Sequence, residues 1–219
     1  MGPPRQAGRK RRFRPPPPPP PRWRLPVARR AFWAGIAVGL GVSAGFLALV
    51  FVGRPSSPSA NVPWGSNAAG LRDRLSVLGL PALAEQGTAL HIHQHLDLYL
   101  NGKQVAVPAN VGIGPGQTFF SPLHTHDRTG ILHVESTTQT VYTLGQFFGV
   151  WGVRLSAQCI GDYCARGGRT LEAFVDGKRV TVDPARIPLR RHDEIVLAFG
   201  TQAELPKPIP ASYSFPAGA

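Results

Sequence analysis

The chain has 219 residues and a formal net charge of +12, from 24 Lys and Arg against 12 Asp and Glu. The excess is local: ten basic and no acidic residues lie within 1–30, Arg54 adds one, and the chain beyond residue 60 is nearly balanced. The charge therefore belongs to a tail. A nucleic-acid-binding domain, which needs a basic patch on its folded part, is excluded.

Residues 1–30 hold seven consecutive prolines, Pro15 to Pro21, among arginines. Such a run favours polyproline II and cannot build a core, so this stretch is expected to be a disordered cytoplasmic tail. Residues 31–53 carry no charge. At about 1.5 Å per residue a helix of this length crosses the roughly 30 Å hydrocarbon core, making contact with membrane lipid. Arg22, Arg24, Arg29 and Arg30 precede it and only Arg54 follows closely. By the positive-inside rule the N-terminus is cytoplasmic and the C-terminal domain extracytoplasmic. The reading is a single-pass protein of the cell membrane. Gly35, Gly39, Gly41 and Gly45 offer a close-packing face for a homodimer of such helices. Residues 54–70, rich in Pro, Ser, Asn and Gly, read as a stalk.

The folded domain is expected over 71–205, with 206–219 as a C-terminal tail. Leu71, Leu75 and Leu78 recur at helical spacing until Gly79 and Pro81 stop the helix. From Leu90 the period becomes two: Leu90, Ile92, Leu96 and Leu98 share one strand face, and His91, His93, His95, Asp97 and Tyr99 the other. Asn101-Gly102 turns this strand into a hairpin. LYLNGKQVAVPA at 98–109 returns as AFVDGKRVTVDPA at 173–185, a second hairpin of the same design. Further strands are expected at 130–136, 139–143 and 193–200. A helix is expected at 144–151, where Thr143 and Gln146 form a capping box. The fold class is mainly β, sandwich-like or open-barrel-like, with one or two short helices. Cys159 and Cys164 are the only cysteines. Outside the cytoplasm they are expected to form a disulfide closing a small loop.

Six of the seven histidines lie between 91 and 133, as HIHQH, LHTHD and LHVE. Alternate residues of a strand project together with Cα atoms about 6.5–7 Å apart. Neighbours among His91, His93 and His95 can therefore share an ion, with a third ligand from elsewhere. His124 and His126 repeat the device, and His133 stands opposite the apolar face of Leu132 and Val134. In the second hairpin Arg166, Gly168 and Thr170 occupy the positions of His91, His93 and His95. The hairpin design therefore does not need the imidazoles. Asp97, Asp127 and Glu135 are candidate ligands or carboxylates that orient an imidazole. Imidazole clusters suit zinc or copper. Blue copper needs a free thiolate, and methionine-rich copper carriage is excluded because Met1 is the sole methionine. His192 stands apart and reads as structural or surface. Ser121 and Ser136, though near histidines, are too little for a hydrolase triad.

HIHQHLDLYLNGKQVAVPANVGI, SPLHTHDRTGILHVES and YTLGQFFGVWGVRLS together resemble an uncharacterised family of exported or membrane-anchored bacterial and archaeal proteins. The resemblance spans roughly 85–200 and implies an exported context and a β-rich fold, without an activity. Three readings stay open. The first is a metal-binding domain for handling, sensing or structure. The second is a metalloenzyme activating water, with Glu135 or Asp127 as base. The third is a metal-free module whose partner is an envelope protein.

Overall fold

The computed structural model describes residues 62–218. The segment 31–53 read as a membrane span lies outside them. Among the described residues no helix is long and apolar enough to cross a membrane.

The frame is one seven-stranded mixed sheet. Its strands are β1 (Leu90–Leu100), β2 (Lys103–Val105), β3 (Leu123–His124), β4 (Ile131–Ser136), β7 (Thr170–Val175), β8 (Lys178–Val180) and β9 (Glu194–Gly200). The path is β3-β4-β1-β9-β7-β8, with β2 pairing the far end of β1. Among the described strands only β1 and β9 run parallel. The ribbon β5 (Cys159–Ile160) and β6 (Tyr163–Cys164) forms a separate two-stranded sheet, closed by the Cys159–Cys164 disulfide. The expected mainly β class thus takes the form of a seven-stranded mixed sheet with a small separate ribbon.

Both hairpins lie in this sheet, on either side of β9. Their registers repeat the sequence offset: Leu98 faces Val105 in one, and Ala173 faces Val180 in the other. Asn101-Gly102 and Asp176-Gly177 all have positive φ. That is the type I′ geometry whose twist suits a two-residue connection.

The expected strand at 139–143 does not form. Its one bridge joins Thr143 to Pro188. Proline lacks the N–H that would extend the ladder, and Val141 is left exposed.

Two helices cover one sheet face. Helix α1 (Leu71–Leu78) ends on Gly79 in the left-handed conformation. Helix α2 (Leu144–Trp151) has the expected capping box, with Thr143 accepting from the Gln146 amide and Gln146 from the Thr143 amide. Such a cap contributes about 1 kcal/mol. Leu144, Phe147, Phe148, Val150 and Trp151 are fully buried against Leu96, Leu98, Leu123, Leu132, Val134, Ile195 and Leu197. The aromatic cluster of α2 is therefore core, and each such side chain contributes roughly 1.5–3 kcal/mol by leaving water.

The chain before α1 is tied down as well. Trp64 packs edge-on against Trp151, whose Nε1 donates to the Gly65 carbonyl at 2.7 Å. At the other end Tyr213 stacks on His95, and Phe215 on His192. These residues belong to the stretches that the sequence reading assigns to stalk and C-terminal tail.

Because the helices take the even-numbered face of β1, its odd-numbered face turns the other way. Strand pairing then decides what joins it. Phe174, Val196, Ala198 and Leu205 form a small apolar cluster on the β9–β7 half of that second face. The β3–β4–β1 half carries the histidines.

Candidate metal centre

Antiparallel pairing sets His93 of β1 opposite His133 of β4, and His133 opposite His124 of β3. One row across three strands is therefore imidazole throughout. In the next row His91 pairs with Glu135. His126 lies two residues beyond His124, so five histidines and one glutamate gather here. Their rings meet edge to face from His91 through His93 and His133 to His126 and His124, with centroid spacings of 4.7, 4.4, 4.5 and 4.8 Å.

The donor atoms are closer still. Nε2 of His91 is 3.1 Å from Nε2 of His93 and 3.3 Å from Glu135 Oε1. His133 Nδ1 is 3.3 Å from the same oxygen. On the other side Nε2 of His124 is 3.3 Å from Nε2 of His126 and 3.8 Å from Glu135 Oε2. Donors bonded at 2.1 Å to one tetrahedral ion stand about 3.4 Å apart, which matches this spacing. They form two groups, His91-His93-His133-Glu135 and His124-His126-His133-Glu135, each with its ligand atoms within 4.8 Å of one another.

The surroundings set the chemistry of individual nitrogens. Nδ1 of His124 lies 3.0 Å from the Ser121 carbonyl, to which it can only donate. That contact leaves Nε2 as the lone-pair atom, turned into the cluster. The side-chain amide of Gln86 donates toward Nε2 of both His124 and His126, at 3.3 and 3.2 Å. Nδ1 of His93 is buried without a hydrogen-bond partner among the described residues. Gly112 makes room behind His124. Its φ is +71°, and a Cβ there would lie 2.2 Å from the Leu123 carbonyl oxygen.

Burial lowers the basicity of His93 and His124, each to about 4. For His93 the neighbouring His133, His91 and Arg191 add to the effect and Glu135 opposes it. For His124 Glu135 opposes, while His126 and His133 add. Burial, with His133 next, also lowers His126. For Glu135 burial pushes upward, but its contact with His133 and the charges of His124 and His91 prevail and lower its pKa. At neutral pH His93, His124 and His126 are thus neutral imidazoles beside a carboxylate, the protonation state in which these groups ligate metals. His124 is wholly buried, whereas His91 and His126 are exposed at the two ends. The site therefore opens to solvent at its rim.

His95, expected with the others, is not in this cluster. Its Nδ1 meets Glu194 Oε2 at 2.8 Å and its Nε2 meets the Thr129 carbonyl at 2.8 Å. Both nitrogens are engaged, so although His95, Asp97 and Glu194 stand close, no imidazole lone pair remains there for an ion. Asp97 accepts from the Gln104 amide at 2.7 Å. Asp127 accepts from the Thr129 amide, capping its own turn. Ser121 Oγ accepts from the Leu123 amide, and Ser136 Oγ contacts the Tyr142 hydroxyl, so both serines have structural partners. His192 stacks on Phe215 and donates its amide to the His93 carbonyl, in keeping with a structural role.

Gln86 and Glu194 are absent from the sequence-level candidates. A lone Gln in a loop carries no signal. Glu194 carries a faint one, a charged residue opening the apolar run EIVLAFG, whose meaning depends on its parallel pairing with His95. Compared with family models, curated proteins and solved structures, the chain matches none, so the resemblance described above rests on its motifs.

Proposed function

We propose that the described domain binds a divalent transition metal, zinc or copper, through His91, His93, His124, His126, His133 and Glu135. The observation that carries this reading is the convergence of imidazole nitrogens and one carboxylate at ligand-to-ligand spacing. Nitrogen donors with one carboxylate suit zinc and copper(II) better than calcium or magnesium, which take oxygen. The exposed His91 and His126 give an ion a route in without unfolding, which favours handling or sensing over purely structural binding.

Elemental analysis of the full chain, purified in mild detergent without a histidine tag, tests the proposal. Near-stoichiometric zinc or copper is expected, and its loss when His93, His124 and His126 are all changed to Ala. A wild type that stays metal-free after reconstitution would sink the reading and leave a metal-free binding surface.

We further propose that residues 31–53 anchor the chain in a membrane with this domain on the extracytoplasmic side. The uncharged span with its preceding arginines supports this, and the disulfide suits an oxidising compartment. Membranes washed in alkaline carbonate should retain the chain. Its release into the wash would refute the anchor.

A further inference from the structure

The six donors exceed the four that a tetrahedral zinc ion takes. Zinc in proteins is almost always four-coordinate in structural sites and sometimes expands to five-coordinate in catalytic ones. Here five imidazoles and one carboxylate converge as two overlapping groups that share His133 and Glu135. The division is anatomical. His91 and His93 come from β1, His124 and His126 from β3 and the turn after it, and β4 between them supplies His133 and Glu135. The two oxygens of Glu135 face opposite ways: Oε1 toward His91 and His133 at 3.3 Å each, Oε2 toward His124 at 3.8 Å. A carboxylate so placed can bind one ion through each oxygen, and bridged ions in such sites lie about 3.5–4 Å apart.

Resting on the metal-binding reading above, we infer that the site is dinuclear: Glu135 bridges one ion held by His91 and His93 and a second held by His124 and His126. His133 stands within ligand distance of both groups and completes one of them. The amide of Gln86, now donating toward His124 and His126, occupies the approach to the second position and must turn aside when that ion binds.

The test loads the full chain in detergent with copper(II) and, separately, zinc(II), and counts ions per chain. Electron paramagnetic resonance of the copper form then reports their separation. Two ions per chain with a spin-coupled spectrum are expected. Glu135→Gln should reduce the count to one and restore an isolated copper signal. His91→Ala and His126→Ala, at exposed positions where folding is least at risk, should each lose one ion. One ion per wild-type chain would overturn the dinuclear inference and leave the metal-binding reading standing. No ion would overturn both. Two ions without spin coupling would overturn the bridge, and two ions retained in both exposed variants would overturn the ligand assignment.

Discussion

Changing Glu194 to Ala should destabilise the domain by about 3–5 kcal/mol, the cost of leaving one partner of a buried ion pair alone. Glu194 and His95 are almost wholly buried, 1% and 5% exposed, and lie 2.8 Å apart. Burial works against a charge on His95. The hydrogen bond and charge of Glu194, with help from Asp97 and the Thr129 carbonyl, outweigh it and raise the imidazole above its ordinary value, while burial, opposed by His95, also raises Glu194; the 2.8 Å contact decides for the ion pair. With Glu194 removed, that charge keeps the Thr129 carbonyl, the field of Asp97 and the ring of Tyr213, stacked at 3.8 Å, but no direct ionic partner. Total stability of a domain is about 5–15 kcal/mol, so the variant should be marginal. Replacing both residues by Leu should recover most of the loss, since two apolar side chains leave no charge unpaired. Urea unfolding followed by circular dichroism gives both values. A loss below about 1 kcal/mol for Glu194→Ala would mean that solvent screens the pair.

This pair also shows where sequence reading ends. Within β1 the alternation that separates apolar from histidine positions is visible, because the strand period is two and one face is core. The capping box of α2, the stop at Gly79 and both hairpins are equally legible, since each depends on residues a few positions apart. His91, His93 and His95 look alike in sequence, yet only two of them reach the cluster. The difference arises from strands remote in the chain: β4 brings His133 and Glu135 to His93 and His91, whereas β9 brings Glu194 to His95. Pairing order between distant strands has no local code. For the same reason a sandwich could not be told from a single mixed sheet, and Gln86, reaching across from a loop, left no mark. The motif LHTHD names two of the imidazoles but conceals that its Asp127 caps a turn.

Acidification should destabilise the metal-free domain between about pH 6.5 and pH 4. In the unfolded chain a histidine takes its proton near 6.5. In the folded domain His93 and His124 do so only near 4, and His126 is lowered too. Between those limits the unfolded state binds more protons, so stability rises with pH and falls on acidification. The groups facing these rings are His91, His133, Glu135, Asp127 and Arg191. Of these the two carboxylates oppose the effect and His91, His133 and Arg191 add to it. Glu135, itself lowered, extends the loss below its ordinary range as it takes a proton in turn. His95 cannot compensate. Its pKa is raised, so its contribution is already complete below about 6.5 and is lost only as the pH climbs through its folded value. A bound ion enlarges the slope, because an imidazole must be deprotonated to ligate. Free metal at 1,000 times its dissociation constant adds about 4 kcal/mol at neutral pH, and that gain should vanish over the same acid window. Thermal unfolding at pH 7, 6, 5 and 4.5, with excess zinc and with a chelator, separates the contributions. The chelated chain should show the shallower decline, and the two curves should meet in acid. If the chelated chain were equally stable throughout, the histidines would not be held neutral by burial. If zinc left the neutral-pH curve unmoved, the cluster would not bind it.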